Sequence, residues 1–293
     1  MKRVRSVLGM MPRSVRFFFT KLLWCFEYTV QEIRVLSLKS RGMEEYKPSK
    51  LSDCSGVCHI LASGWSLNCT LSSINKDDYV IGFNFSFLAW PNADVHFIEN
   101  ASLKNEYFLD NTVTIYEFLK RFSVLGKGNL VFKNLSEFKN SVRLVGMLYG
   151  RHAKFIRDRH YRVFNGLDLD HVLRDMMEDE FRLPQAYSSV ISMVFLARRL
   201  GFKTIVVHGL DFSGPHFYED LEKVRVDGFC PSEIKEIHSR SHKTAVGENG
   251  IGVGVVISKI KGMLKLEDIE LYAAGAISPS ASIIGVRPDL GAV

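Results

Sequence analysis

From residue 51 onward, short apolar runs bounded by Gly, Asn and Asp alternate with stretches of helical spacing. CSGVCHILASG reads as a buried strand running into a Gly-containing turn. YVIGFN (79–84) and ADVHFIEN (93–100) read as two further strands, each ending in Asn, and TVTIYEF and NLVFKN as two more. Residues 134–182 are mixed and charged. QAYSSVISMVFLARRL places Val190, Val194, Ala197 and Leu200 at helical spacing, and Gly201 stands where a helix stop belongs. The β-branched run KTIVVHGLDF predicts an internal parallel strand, GIGVGVVISKIKGML a helix and DIELYAAGA a last strand. Strands alternating with helices predict a doubly wound α/β fold, whose ligands sit outside the carboxyl ends of the strands.

The first 50 residues follow a different pattern. RFFFTKLLWCFEYTVQEI is rich in aromatic residues, and Lys2, Arg3, Arg5, Arg13 and Arg16 precede or open it. Lys21 and Glu27 interrupt the apolar stretch, whereas a bilayer-spanning helix needs about 20 mostly apolar residues. No small-x-small cleavage site follows, so a signal peptide is not indicated either. Aromatic residues beside Arg and Lys suit a helix lying in the interface of an anionic membrane, and the same helix could instead pack on the protein's own body or on a partner subunit. Pro48 and Ser49 read as a linker, giving a membrane-associating segment 1–50 and a folded body 51–293. The implied location is cytoplasmic and peripheral, on the inner face of the cell membrane.

Composition adds exclusions. With 46% hydrophobic and 24% charged residues over 293 positions, the chain is neither disordered nor collagen-like and is long enough for a full core. The net charge of +6 is uneven: residues 1–50 hold 11 Lys/Arg against four Glu, and the remainder sums to −1. Nucleic acid is therefore not an expected partner, because a phosphate-tracking groove needs positive charge on the folded body. Cys25, Cys54, Cys58, Cys69 and Cys230 are odd in number and include no C-x-x-C pair, which argues against a disulfide framework or zinc ribbon. Cys54, Cys58 and His59 lie close together as conceivable metal ligands, but Cys58 and His59 open an apolar strand.

Just after the expected strands stand Ser63-Gly64-Trp65-Ser66, Asn84, Asn100 and Gly209 to Tyr218. They are mostly hydroxyls, carboxamides and turn amides. Such a set suits a phosphate-bearing nucleotide held by hydrogen bonds without a metal, although each Asn taken alone is also a common turn former. ASGWS has neither the lysine of a Walker loop nor the glycine spacing of a dinucleotide fingerprint.

In order and spacing these motifs resemble the bacterial sialyltransferases of the Campylobacter and Haemophilus lipooligosaccharide type, glycosyltransferase family 42. The family's first-strand turn, Gly-Asn-Gly-Pro-Ser-Leu, is similar to Ala62-Ser63-Gly64-Trp65-Ser66-Leu67. Its donor-contacting asparagines match Asn84 and Asn100, the latter followed by a family-like Ser102. Its Thr-Ser pair resembles Ser188-Ser189, and its Gly-(Ile/Leu)-Asp-Phe strand end is present as Gly209-Leu210-Asp211-Phe212. A lid tyrosine corresponds to Tyr218, and two lid histidines to His238 and His242. The match covers most of residues 55–285 discontinuously. The chain departs from the pattern at Ser63, Trp65, Ser213, where a tyrosine is expected, and Ala186, where an arginine is expected.

The resemblance implies a Rossmann-like domain of GT-A type, variant 1, with a flexible lid at about 212–242. It implies inverting, metal-independent transfer of sialic acid from CMP-sialic acid to a galactose-type hydroxyl of a glycan or glycolipid. The partners are then that donor, that acceptor and the anionic membrane, with a second copy of the chain as a further candidate, and no cofactor is required. His242 would act as general base, since imidazole titrates near neutrality. Tyr218 would donate to the departing phosphate, helped by Ser213 or His216. Ser188 and Ser189, at a helix start, would seat the sugar carboxylate, and Asp211 would contact ribose or base. Ser63, Gly64, Ser66, Asn84, Asn100, Ser102, Gly209 and Phe212 would complete the donor site. The His238/His242 spacing also resembles a helical zinc pair, but no third ligand is evident. The alternatives are another CMP-activated acidic sugar such as Kdo, a pterin pyrophosphokinase-like enzyme that needs magnesium, and a catalytically dead membrane-tethered binding protein.

Overall fold

A computed structural model of the chain describes residues 11–52, 54–99, 116–121, 129–133, 141–161, 166–219 and 251–288. Its centre is an eight-stranded sheet: β1 (Glu44–Glu45), β2 (Val57–Leu61), β3 (Tyr79–Phe83), β4 (Val95–Glu99), β5 (Asn129–Lys133), β6 (Lys154–Phe155), β9 (Thr204–His208) and β10 (Glu270–Ala273). The strand order is β1-β6-β5-β4-β3-β2-β9-β10 and every pairing is parallel. β7 (Asp158–His160) and β8 (Leu183–Gln185) form a separate parallel pair. The main helices are α1 (Arg13–Lys39), α2 (Ser141–Leu148), α3 (Gly166–Glu178), α4 (Ser189–Leu200) and α5 (Val253–Lys265). The doubly wound α/β expectation holds.

Alternate strand residues supply two cores. Cys58, Ile60, Ile81, Val95, Phe97, Val131, Ile205 and Val207 pack under α3, α4 and α5, whereas Leu61, Val80, Ile98, Leu130, Phe132 and Phe155 pack under α1 and α2. Burial on both faces is why these strands read as continuous apolar runs. α4 is buried nearly all round, as expected of a central helix. Ser188 caps it, accepting from the Val190 amide, and Gly201 at φ 100° ends it. The helix starts at Ser189, as the Ser188-Ser189 reading expects, and residues 183–185 just before it form β8. TVTIYEF is corrected in its described part: residues 116–121 are helical, which buries Phe118 and Leu119 together in the second core and sets Tyr116 edge-on to Tyr149 at 5.1 Å.

From β2 the chain builds outward through β3, β4, β5 and β6, then returns to lay β9 and β10 on the other side of β2. The winding direction thus reverses between β2 and β9, where Leu61 lies opposite His208. In open α/β sheets the crevice beyond such a reversal is the place for a ligand.

α1 turns an unusual side to the body. Gln31 donates to Asp158 Oδ1 at 3.0 Å, Arg16 pairs with Asp168 at 3.5 Å, and Trp24 Nε1 donates to the His160 carbonyl at 3.0 Å. Among its described side chains, Val35 and Leu38, near the helix end, enter the core, and Trp24 packs against it in part. Its opposite side carries Phe18, Leu22, Phe26, Ile33 and Leu36 at helical spacing, all between 50% and 68% exposed. Among the described residues no helix is long and apolar enough to cross a membrane.

Three imidazoles are buried in the sheet. His59 Nε2–H donates to Asp78 Oδ2 at 3.1 Å, which leaves Nδ1 to accept from His208 Nε2–H at 2.8 Å, and His208 Nδ1 accepts from the Thr70 hydroxyl at 2.9 Å. Burial lowers His59 from its ordinary value and holds His208 well below it; burial pushes His96 down to about 4. Each ring therefore resists protonation in the folded chain to lower pH than in the unfolded chain, which protonates them below about 6.5. Stability is therefore full above that pH and is lost as pH falls toward 4, with His96 alone accounting for about 3 kcal/mol. Melting temperature measured at steps between pH 7.5 and 4 should fall along this limb, and His96→Gln should make it shallower. A flat profile would contradict the assignment.

Candidate functional site

Beyond the reversal the two chains leave side by side. The Ala62 amide donates to the His208 carbonyl and the Gly64 amide to the Gly209 carbonyl, both at 2.9 Å. Gly209 takes φ 67°, and a Cβ on Gly64 would lie 2.4 Å from Asp211 Oδ2, so neither glycine can be replaced without displacing the other turn. Asp211 binds them together. Its Oδ2 accepts from the Ser66 amide at 2.7 Å, and its Oδ1 accepts from the Ser66 hydroxyl at 2.5 Å and the Ser278 hydroxyl at 3.0 Å. The expected ribose or base contact thus has both carboxylate oxygens committed inside the protein, at 3% exposure. Ser66, expected in the donor site, is the first of its partners.

The segment after β9 folds back over this turn. The Phe217 amide donates to the Ser63 carbonyl at 3.1 Å, His216 bridges Gly64, and Asn68 Nδ2 donates to the Phe217 carbonyl at 2.6 Å. Phe212, at φ 60°, starts this strap in the left-handed region, and the Ser213 amide donates to the Asp211 carbonyl at 2.6 Å. Tyr218 is 1% exposed, stacked on His216 at 5.0 Å and edge-on to Phe85 at 5.7 Å. Donation by Tyr218 to a leaving phosphate requires the strap to lift.

A second group of residues gathers at the ends of β4 and β5. Two inter-strand spacings separate β4 from β2, or about 10 Å. Asn84, at φ 45°, joins β3 to β4: its Oδ1 accepts from the Glu99 amide at 3.0 Å and its carbonyl accepts from His96 Nε2 at 2.7 Å. Glu99 Oε2 accepts from the Ser189 hydroxyl at 2.6 Å, and Oε1 accepts from Gln185 Nε2 at 3.1 Å while lying 3.4 Å from Lys133 Nζ. Lys133, fully buried, also donates to Gln185 Oε1 at 2.6 Å. The Ser192 hydroxyl donates to the Pro184 carbonyl at 2.6 Å, within reach of the same Gln185 oxygen at 2.9 Å.

Glu99, Lys133 and Gln185 were missed by the sequence reading. All three close strands, so attention to every strand end, charged residues included, would have found them. Ala186 and Tyr187, the latter at φ 53°, connect this group to α4. Asn100, Ser102, His238 and His242 lie outside the described residues, as does the lid from residue 220 to 242. Among the described residues no three His, Cys, Asp or Glu side chains converge on a point where they could hold a metal ion.

The Asp211 clamp has a measurable weight. Asp211→Asn presents an amide N–H₂ to donors, so it should lower the urea unfolding free energy by about 1–3 kcal/mol. An unchanged urea midpoint would show that the clamp is dispensable.

No family model and no curated protein matches the chain. Among solved structures, it is similar to the sialyltransferase CstII of Campylobacter jejuni in complex with the substrate analogue cytidine-5'-monophosphate, with a TM-score of 0.46 and 18% identity over 82% of this chain and 88% of that one. The same sialyltransferase in complex with a trisaccharide acceptor and CMP gives 0.45 and 18% over 81% and 88%. The monofunctional α-2,3-sialyltransferase Cst-I of Campylobacter jejuni gives 0.49 and 15% over 84% and 86%.

Proposed function

We propose that the chain is an inverting glycosyltransferase that moves sialic acid from CMP-sialic acid to a galactose-type hydroxyl of a surface glycan or glycolipid, without a metal. The observation that carries this reading is the reversal of winding between β2 and β9, where the Ser63–Ser66 turn and the Gly209–Ser213 strand end meet. The carboxylate there, Asp211, is already engaged by protein donors, so the place suits a nucleotide phosphate better than a cation. The order of Asn84, Asn100, Ser188-Ser189, Asp211 and the late histidines along the chain supports the same assignment.

In this reading the nucleotide occupies the crevice and the sugar extends toward β4 and the start of α4. His242 takes the proton of the acceptor hydroxyl as its oxygen attacks the anomeric carbon from the side opposite the phosphate, which inverts that centre. CMP leaves, and donors from the strap, Tyr218 with Ser213 or His216, meet the charge that develops on its phosphate.

We also propose that α1 lies on the anionic inner face of the cell membrane. Support comes from the exposed stripe Phe18, Leu22, Phe26, Ile33 and Leu36, and from the excess of Lys and Arg in residues 1–50.

CMP release should be observed from CMP-sialic acid and should survive EDTA. His242→Ala should lower transfer by roughly 10²–10⁴-fold with little change in CMP affinity. Full loss of turnover in EDTA restored by magnesium would favour a pyrophosphokinase-like enzyme, and preference for CMP-Kdo would shift the donor. CMP binding without any turnover would leave a binding protein.

The membrane reading is tested by substitution rather than truncation, because Val35, Leu38 and Met43 belong to the core. Phe18→Ser with Phe26→Ser should weaken binding to phosphatidylserine vesicles at least about tenfold and leave the urea midpoint unchanged. Added salt should weaken the attachment of the unaltered protein. Equal vesicle binding by the substituted protein would refute the anchor.

A further inference from the structure

Ser189 sits at the first turn of α4, 8% exposed, and a serine hydroxyl has one hydrogen. That hydrogen points at Glu99 Oε2 at 2.6 Å, a charge-assisted bond. Glu99 is held in turn: Lys133 Nζ lies 3.4 Å from its other oxygen, Gln185 Nε2 donates to that oxygen, and the Asn84 side chain accepts from its amide. Lys133 has no exposure to water, and its nitrogen is met by Glu99 and Gln185. The arrangement leaves the Ser189 oxygen with lone pairs and no hydrogen for a ligand. A ligand carboxylate placed there would find no donor in the hydroxyl and would sit beside the Glu99 charge.

We propose that Lys133 and Glu99 are positioning residues that make the Ser189 hydroxyl a hydrogen-bond acceptor, so that the ligand group meeting it is a sugar hydroxyl or amide N–H and not the sugar carboxylate. This rests on the CMP-sugar reading and changes one assignment within it: the carboxylate of the donor is seated elsewhere. Specificity at this point comes from a buried cation two side chains away from the sugar.

The test pairs a protein change with a ligand change. CMP-sialic acid, its carboxyl methyl ester and CMP are titrated calorimetrically into the unaltered protein, Ser189→Ala and Glu99→Gln. Ser189→Ala should weaken the acid and the ester alike, by about 3- to 10-fold, the scale of one hydrogen bond, and leave CMP unchanged. Glu99→Gln keeps the shape but removes the charge facing the ligand, and should raise the acid-to-ester affinity ratio by about tenfold. A loss in Ser189→Ala confined to the acid would overturn the proposal, as would no loss with either ligand or an unaltered ratio in Glu99→Gln. CMP binding without any gain from the sugar in the unaltered protein would overturn the sialic acid reading and this inference with it.

Discussion

Asp211 holds together the two strand ends on which the candidate site is built. β2 and β9 are adjacent in space but belong to opposite windings of the sheet, so nothing local fixes how their carboxyl ends diverge. Three donors converge on one buried carboxylate: the Ser66 amide, the Ser66 hydroxyl and the Ser278 hydroxyl. A carboxylate fully supplied with hydrogen bonds tolerates burial, and an unsupplied one does not. Gly64 and Gly209 follow from the same constraint, since the close approach of the two turns leaves no room for a side chain. The strap from Phe212 to Glu219 is docked on the Ser63–Asn68 segment that this clamp holds in place.

The other half of the site obeys the same rule with a larger network. Lys133, Glu99, Gln185, Ser189 and Ser192 exchange hydrogen bonds across the ends of β4, β5 and β8 and the start of α4. A buried ion pair is expensive to desolvate, and it persists where every donor and acceptor is matched. Here the pair is matched by a carboxamide that gives a hydrogen to Glu99 and receives one from Lys133. The outcome is a set of side chains whose orientations are fixed before any ligand arrives.

α1 reverses the usual polarity of a surface helix. Arg16, Gln31 and Trp24 make its directed contacts with the body, while a stripe of Phe, Leu and Ile faces outward. An amphipathic helix ordinarily buries its apolar stripe. Five large apolar side chains left in water at helical spacing form an exposed patch of the kind that marks an interaction surface.

The sequence by itself determined α1, β2, β3, β4, β5, α4, β9, α5 and β10, whereas β1, β6, β7, β8, α2 and α3 lie in stretches without a clear period. β-branched runs specified β2 and β9, Ser188 and Gly201 bounded α4, and the segregation of charge set residues 1–50 apart. Asn84 and the Ser63–Ser66 turn were legible because strand ends are where such folds place ligands. The partners of the polar groups were not legible. Ser66 and Asp211 are 145 positions apart and Ser189 and Glu99 are 90 apart, and hydropathy period carries no record of which hydroxyl gives its hydrogen to which carboxylate. For the same reason the sequence could place α1 near a membrane or near the body but could not say which side faces which. Backbone conformation and burial follow from near neighbours along the chain, whereas hydrogen-bond direction and the facing of a helix depend on groups that only tertiary packing brings within 3 Å of each other.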